Sequence, residues 1–302
     1  LDIVEQGVDE RGPYLVAEGS LWVDGKRIYE VQKMGMRVVD GTPEGPTSGP
    51  PKTDRTRRTL DITKEPWLGD HRPTFTVPSV PMMGVAELLA EAVEGPVVGL
   101  KDVRVTGWMT VASTLELRRT VEDAVGGHKV RILDAGSDKL LAEGTVLVGT
   151  AGPPPADWTV DGALGDVESP YASGALFHGP AFQLLTELQR ASGVAVGTLD
   201  VARSGVPVGK LNPALLDAGT HVVPHDELAA WGADIDEALV AYPALLRSLR
   251  VFGPTPTEGT VKVIARLAGK IGELVRLQLQ WSTDAGVWAE AELLEMPFPK
   301  GP

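Results

Sequence analysis

Five histidines and one aspartate carry most of the chemistry this sequence can offer: His71, His128, His178, His221, His225 and Asp217. Asp217, His221 and His225 recur every four residues, so on a helix they would share one face as a nominal metal ladder. Pro224 interrupts that helix between the two histidines, and no further His or Cys stands at ligand spacing, so no metal is expected. Asp217 and His221 remain a pair. Their neighbours Leu215, Leu216, Ala218 and Val222 are apolar, and apolar surroundings raise a carboxyl pKa, which suits a general acid. An ordinary surface pair is the other reading of the same spacing. His71 follows Trp67-Leu68-Gly69-Asp70 and precedes a stretch stiffened by Pro73, Pro78 and Pro81. Such a histidine is placed either to act as a base or to bond the backbone of its loop. His178-Gly179-Pro180-Ala181-Phe182 follows Ser173-Gly174 and reads as turn chemistry ahead of a helix or strand. His128 follows Gly126-Gly127 and reads as exposed.

Composition removes several function classes. Lys plus Arg is 28 and Asp plus Glu is 41, a net charge of −13, which is wrong for a nucleic-acid surface. The one basic cluster, Arg55-Thr56-Arg57-Arg58, reads as a solvated face or a contact for an acidic partner. There is no cysteine, hence no disulfide, thiol chemistry or thiolate metal site. No apolar run reaches the roughly 20 residues of a membrane span. Gly-x-Gly-x-x-Gly, Gly-x-x-x-x-Gly-Lys and Gly-x-Ser-x-Gly are all absent, so dinucleotide, phosphate-loop and serine-hydrolase readings lack support. The chain starts at Leu1 without a charged segment before an apolar one, and reads as a piece of a longer polypeptide with no signal peptide.

The elements that must position these residues follow from patterning. Hydrophobic residues make up 43% of the chain, enough for a packed core. With 35 Gly and 24 Pro, turns and linkers must be numerous. Residues 41–57 hold three Gly and four Pro in 17 positions and form a linker; 151–162, with Pro153-Pro154-Pro155, form a second. These breaks separate 1–40, 58–150 and 163–302. Met83, Leu88, Leu89 and Val93 predict an amphipathic helix over 82–94, and Pro213 opens a second over 213–223. Four strand-like runs follow each helix: 99–111, 114–122, 129–133 and 139–148, then 244–252, 259–267, 274–281 and 287–294. The fold class is therefore α+β, a helix followed by a four-strand antiparallel meander, twice over. Ala-Glu-Gly near 17–19 and 142–144, and Ala-Glu-Ala at 289–291, recur in comparable strands. Residues 1–40 supply only a hairpin turning at Asp24-Gly25.

Three segments together carry a resemblance. Asp70-His71 before a Pro-rich run is similar to a His-x-x-x-Gly-x-x-x-x-Pro motif, with Phe75 in the Gly position and Pro81 one residue late. Asn212-Pro213-Ala214-Leu215-Leu216-Asp217-Ala218 resembles His-Pro-Ala-Leu-Leu-Asp-Ala, and His221 completes Asp-x-x-x-His. His178-Gly179-Pro180-Ala181-Phe182 resembles Tyr-Gly-Pro-x-Phe. Together these segments, with the His segment preceding the Asp segment, resemble the dehydratase domain of polyketide synthases and polyunsaturated fatty acid synthases, and the similarity covers about 58–300. The resemblance implies a double hotdog: two antiparallel sheets, each wrapped round a central helix, with the catalytic His in 58–150 and the catalytic Asp in 163–302. Residues 1–40 resemble the end of a preceding hotdog unit.

The implied activity is loss of water from a β-hydroxyacyl thioester on an acyl carrier protein, giving a trans-α,β-enoyl thioester. His71 would be the general base and Asp217 the general acid. His221 and His178 would support them, and backbone N–H groups near Phe75 and Gly179 would polarise the thioester carbonyl. Pro81, Met82, Met83 and Phe182 are candidates to line the acyl tunnel. No cofactor is implied beyond the carrier's phosphopantetheine arm. The implied partners are the carrier protein, met by basic groups at 55–58 or at Arg247 and Arg250, neighbouring synthase domains and a second copy of the chain, in the cytoplasm, with neither nucleic acid nor membrane. A non-catalytic docking scaffold and an enoyl isomerase are the alternatives on the same fold.

Overall fold

The computed structural model describes residues 2–9, 12–23, 26–37, 57–73 and 77–300. The linker expected at 41–57, Arg57 apart, the turn at Asp24-Gly25 and Phe75 lie outside the described residues. The chain divides into two compact units, Leu1–Pro50 and Pro51–Pro302.

The smaller unit is a three-stranded antiparallel sheet in the order β1-β2-β3, with β1 at Asp2–Asp9, β2 at Gly12–Val23 and β3 at Lys26–Arg37. Sequence patterning gave only the β2–β3 pair. The first strand, Asp-Ile-Val-Glu-Gln-Gly-Val-Asp, lacks clean alternation, and Ile3, Val4 and Val8 are exposed, so its pairing with β2 rests on backbone bonds.

In the larger unit every strand pairing is antiparallel, and the twelve strands form one sheet in the order β4-β6-β7-β8-β5-β12-β15-β14-β13-β11-β10-β9. The first half comprises β4 (Arg58–Asp61), helix α1 (Met82–Ala90), β5 (Val97–Val105), β6 (Thr114–Ala124), β7 (Gly127–Asp134) and β8 (Leu140–Val148). The second comprises β9 (Gly165–Asp166), β10 (Leu185–Ala191), β11 (Val194–Asp200), α2 (Pro213–Thr220), β12 (Leu239–Val251), β13 (Thr260–Ile271), β14 (Leu274–Thr283) and β15 (Gly286–Pro299). The helix-then-four-strands order predicted from patterning appears twice. The strands of the two halves join edge to edge within this sheet, because β5 pairs with β12 from Gly99 opposite Arg250 to Arg104 opposite Leu245. Gly99 permits this join: a Cβ there would meet the Leu249 carbonyl oxygen at 2.3 Å. The hairpin β10–β11 is an addition that patterning missed. Gly197 in its middle is required by packing, since a Cβ would meet Leu185 and Val222 at 2.6 Å.

Both helices are shorter than their apolar patterns. All nine residues of α1 are buried, and it packs on β5, β7 and β8. It stops at Ala90 rather than Glu94, and the chain then turns through Gly95 at φ 80°. Helix α2 is also wholly buried and packs on β11, β13 and β14. Asn212 caps it by accepting the Leu215 N–H at 3.0 Å, with Pro213 in the first turn. It ends at Thr220, whose hydroxyl donates to the Asp217 carbonyl at 2.8 Å. Residues 151–162 carry no helix or strand and are tied to β14 through Gln280, which accepts from the Trp158 N–H and donates to the Ala156 carbonyl.

Glu87 joins the helices. From α1 it accepts the N–H of Lys210 at 2.8 Å and of Leu211 at 2.7 Å, just before α2. Burial pushes its carboxyl up to about 7, and those two N–H groups offset the push only in part. A carboxyl held higher in the folded than in the unfolded chain contributes stability that is complete below the unfolded value of 4.5 and lost as pH rises through about 7. Urea unfolding is therefore expected to show the wild-type chain losing on the order of 2–3 kcal/mol between pH 5 and pH 8.5 through this group. Glu87→Gln should flatten that slope; an unchanged slope in the variant would refute the assignment.

Candidate active site

His71 follows a short 3-10 turn over Pro66–Asp70, and its backbone is extended. Two partners fix it. Its carbonyl accepts the Ser79 N–H at 3.0 Å, and its Nδ1 lies 2.6 Å from the Ser79 carbonyl oxygen. A carbonyl can only accept, so Nδ1 carries the proton and Nε2 keeps its lone pair. The prolines at 73, 78 and 81 hold this return path, and Pro78 and Val80 bond to Val111 and Met109 on the loop after β5. His71 is 7% exposed, and burial pulls its pKa down to about 4 despite the opposing pull of Asp217. It is a neutral imidazole at pH 7.

The second half meets this segment through the backbone. His71 and His178 form an isolated antiparallel bridge, the Gly179 N–H donates to the Asp70 carbonyl at 2.6 Å, and the Ala181 N–H donates to Asp70 Oδ2 at 2.9 Å. Glycine is required at 179, because a Cβ would lie 2.5 Å from Asp70 Oδ1. This corrects one expectation: the Gly179 N–H is engaged by Asp70 and is not free to polarise a thioester carbonyl. The His178 ring stacks on Phe177 at 4.5 Å and stands 5.0 Å from the His71 ring. Burial also pulls His178 down to about 4.

Helix α2 brings Asp217 and His221 to the same place. Asp217 Oδ2 lies 3.4 Å from His178 Nε2 and 3.3 Å from His221 Nε2. Neither contact has the alignment of a full hydrogen bond, so Asp217 Oδ2 and His221 Nε2 lack a hydrogen-bond partner among the described residues. Burial pushes the Asp217 carboxyl up; the neighbouring imidazoles of His178 and His221 pull it down, and they prevail. The carboxyl raised by apolar surroundings that its neighbours suggested is thus corrected: in the free protein it is an anion. His221 is 1% exposed, its pKa is lowered by burial, and its Nδ1 lies 2.7 Å from the Tyr171 hydroxyl. Tyr171 carries no motif and lies fifty positions away in sequence. Only the fold reveals it.

The remaining candidates fall as follows. Phe182 is fully buried with its ring 6.1 Å from both His71 and His178. Pro81 caps α1, and Met82 and Met83 are buried in the core. His225 leaves the nominal metal ladder. Its Nδ1 lies 3.1 Å from Glu295 and its Nε2 3.0 Å from the Thr220 carbonyl. Both partners accept, so both nitrogens carry protons; Glu295 raises its pKa against the opposing effect of burial. His128 stands on β7 beside Asp123 at 3.5 Å, away from the cluster. Arg58 pairs with Glu65 and Arg247 with Glu292, while Arg250 lies over the Phe252 ring. A surface cavity of about 480 Å³, lined by Asp234, Ile235 and Lys270, contains none of the clustered side chains.

No family model matches the sequence, and no curated protein matches it. Its structure does match others. The dehydratase domain of the polyketide synthase PpsC from Mycobacterium tuberculosis aligns with a TM-score of 0.64 and 21% identity, covering 81% of this chain and 92% of that one. The dehydratase domain of a mycocerosic acid synthase-like polyketide synthase aligns at 0.64 and 19% identity, covering 81% and 90%. That of the CurJ module of curacin polyketide synthase aligns at 0.63 and 13%, covering 80% and 91%. The chain thus has the hotdog fold of polyketide synthase dehydratase domains.

Asp70 is the joint between the two halves of the cluster. Asp70→Ala leaves the buried Ala181 N–H without its acceptor, and urea unfolding is expected to show a loss of about 1–3 kcal/mol. Asp70→Asn, which keeps an acceptor, should lose less; equal losses would place the effect elsewhere.

Proposed function

We propose that the larger unit is a double-hotdog dehydratase domain, built from 58–150 and 163–302 joined by 151–162, that removes water from a β-hydroxyacyl thioester. The observation that carries this reading is a neutral His71, its Nδ1 committed to the Ser79 carbonyl, in the same dry cluster as Asp217. A base with a free Nε2 and an acid from the opposite half are the two parts an elimination needs.

In the proposed step His71 Nε2 takes the proton from the carbon α to the thioester. The released electron pair becomes the Cα–Cβ double bond as the Cβ–O bond breaks. Asp217 gives its proton to the departing oxygen, which leaves as water. The proton held by His71 then returns to Asp217, so the protein ends as it began. Asp217 must enter this step protonated. A substrate hydroxyl seated on Oδ2 would stand between the carboxyl and the imidazoles of His178 and His221, and the dry surroundings then favour the neutral acid. His178 and His221 flank the carboxyl at 3.4 and 3.3 Å, and Tyr171 positions His221. The thioester carbonyl needs a donor other than Gly179; Phe75 was the other candidate. Phe182 would meet the acyl chain beside the histidines, with Pro81, Met82 and Met83 behind it.

The chemistry requires no cofactor, because protons are its only currency. The substrate would arrive on the phosphopantetheine arm of an acyl carrier protein, inside a cytoplasmic polyketide or polyunsaturated fatty acid synthase. Residues 1–40 would belong to a neighbouring hotdog-like unit, and a second copy of the chain is the natural further partner. Since Arg58 and Arg247 already pair with carboxylates, docking of an acidic carrier would fall to other basic groups such as Arg57.

The test is a carrier-bound β-hydroxyacyl substrate with loss of one water followed by mass spectrometry. His71→Ala and Asp217→Asn are each expected to slow dehydration by about 10²–10⁴-fold with unchanged circular dichroism. Full activity in either folded variant would remove that residue from the pair. Turnover to a β,γ-enoyl product would support the isomerase instead, and no turnover by the wild type would support the scaffold.

A further inference from the structure

His178, Asp217 and His221 each present one ligand atom, and the three atoms lie within 4.8 Å of one another. We propose that these three side chains form a binding site for a zinc-class divalent cation, and that the bound ion blocks the acid–base chemistry of Asp217. The binding half of this inference stands without the dehydratase reading; the blocking half rests on it.

Two of the three ligand-to-ligand spacings fit the ion, and the third, between the two imidazoles, lies within 4.8 Å. Zinc bonds nitrogen and oxygen at about 2.0–2.1 Å in a tetrahedron, which sets neighbouring ligand atoms about 3.3–3.4 Å apart. Asp217 Oδ2 stands 3.4 Å from His178 Nε2 and 3.3 Å from His221 Nε2. These atoms are not engaged otherwise: Asp217 Oδ2 and His221 Nε2 are buried and have no hydrogen-bond partner among the described residues. Leaving such atoms unpaired in a dry site is costly, and an ion between them would pair both.

The outer shell fits at His221. A metal-bound histidine generally donates its other N–H to an acceptor, which fixes ring and tautomer. Tyr171 can be that acceptor for His221 Nδ1 at 2.7 Å, while its own hydroxyl proton points to the Phe182 carbonyl at 3.4 Å. His221 Nε2 is then bare and faces Asp217. With the ion absent the hydroxyl can turn round and donate to Nδ1, and Nε2–H then faces the carboxylate. Tyrosine serves both states because a hydroxyl donates or accepts. His178 is oriented by the Phe177 stack and by Gln183 donating to its carbonyl, while its buried Nδ1 has no hydrogen-bond partner among the described residues, so the outer-shell support belongs to His221 alone. His225, the ligand suggested by helical spacing, is turned to Glu295 and Thr220 and takes no part. Two imidazoles and one carboxylate select zinc, cobalt or nickel over magnesium or calcium, and three protein ligands leave a fourth position to solvent.

The test uses the full chain, free of any histidine tag. Equilibrium dialysis with Zn²⁺ is expected to give one ion per chain, undisplaced by excess Mg²⁺. Co²⁺ should give the visible absorption of a tetrahedral site. His178→Phe, which keeps an aromatic ring on Phe177, and His221→Gln should each abolish both signals. Tyr171→Phe should weaken binding by about 10–100-fold. No saturable uptake by the wild type would overturn the proposal, and so would uptake unchanged in the folded variants. If one histidine variant fails to fold, the other and Tyr171→Phe decide. Dehydration of the carrier-bound substrate should cease with stoichiometric Zn²⁺ and return on chelation; activity undiminished at full occupancy would overturn the blocking role. A chain that binds zinc but never dehydrates, even with chelator, would refute the proposed function and leave the site standing.

Discussion

The backbone around Asp70 and His71 is bonded directly to the backbone around His178 and Gly179, and the placement of the buried histidine–aspartate cluster depends on that seam. The His71–His178 bridge and the Gly179 and Ala181 bonds to Asp70 set the two halves in register where the clustered histidines and Asp217 meet. Without a seam of this kind, the segments that carry His71 and His178 would be tied together only through the more distant β5–β12 pairing and the Glu87 bonds. Backbone bonds are short and directional, so they fix a separation far better than dispersion contacts do.

The rest of the fold serves the seam by holding two short helices still. Helix α1 reaches across to the start of α2 through Glu87, and α2 is closed at its far end by Thr220 and the His225–Glu295 pair. Between these ends α2 lies so close to β14 that a Cβ on Gly219 would meet the Trp281 indole nitrogen at 2.2 Å. A helix pinned at both ends and along one side presents Asp217 and His221 with little freedom. The fused twelve-stranded sheet adds stiffness, since the β5–β12 pairing carries the backbone ladder from one half into the other.

Much of this was legible in the sequence. The helix-then-meander order emerges from apolar spacing and turn residues, because both periods survive in a chain whose strands are long. His71 and Asp217 were singled out by the family motifs they resemble, since their flanking prolines and apolar neighbours left an ordinary structural role open. What stayed hidden depends on distant contacts. Tyr171 has no local signal, since its partner His221 belongs to another element. Gly179 looked like a free backbone donor, yet Asp70, which precedes the base in sequence, takes its N–H. Asn212, read as a replacement for histidine, is a helix cap that also donates to the Pro256 carbonyl. The helix lengths were overdrawn because an apolar pattern continues into the turn after α1, where Glu91 and Gly95 end the helix but Ala92 and Val93 still face the core.

The charge state of the cluster explains why one geometry can serve two ends. Dry surroundings favour neutral groups, and His71, His178 and His221 all obey: burial lowers each of them. Asp217 does not obey, because two imidazoles face it at close range. The result is a single buried anion among neutral bases. Such an anion gains whenever something positive reaches it: a proton, as the proposed dehydration requires, or a divalent ion, as the proposed cation site requires. In these two proposals acid catalysis and cation capture draw on one electrostatic imbalance, and proton and ion compete for the same carboxylate.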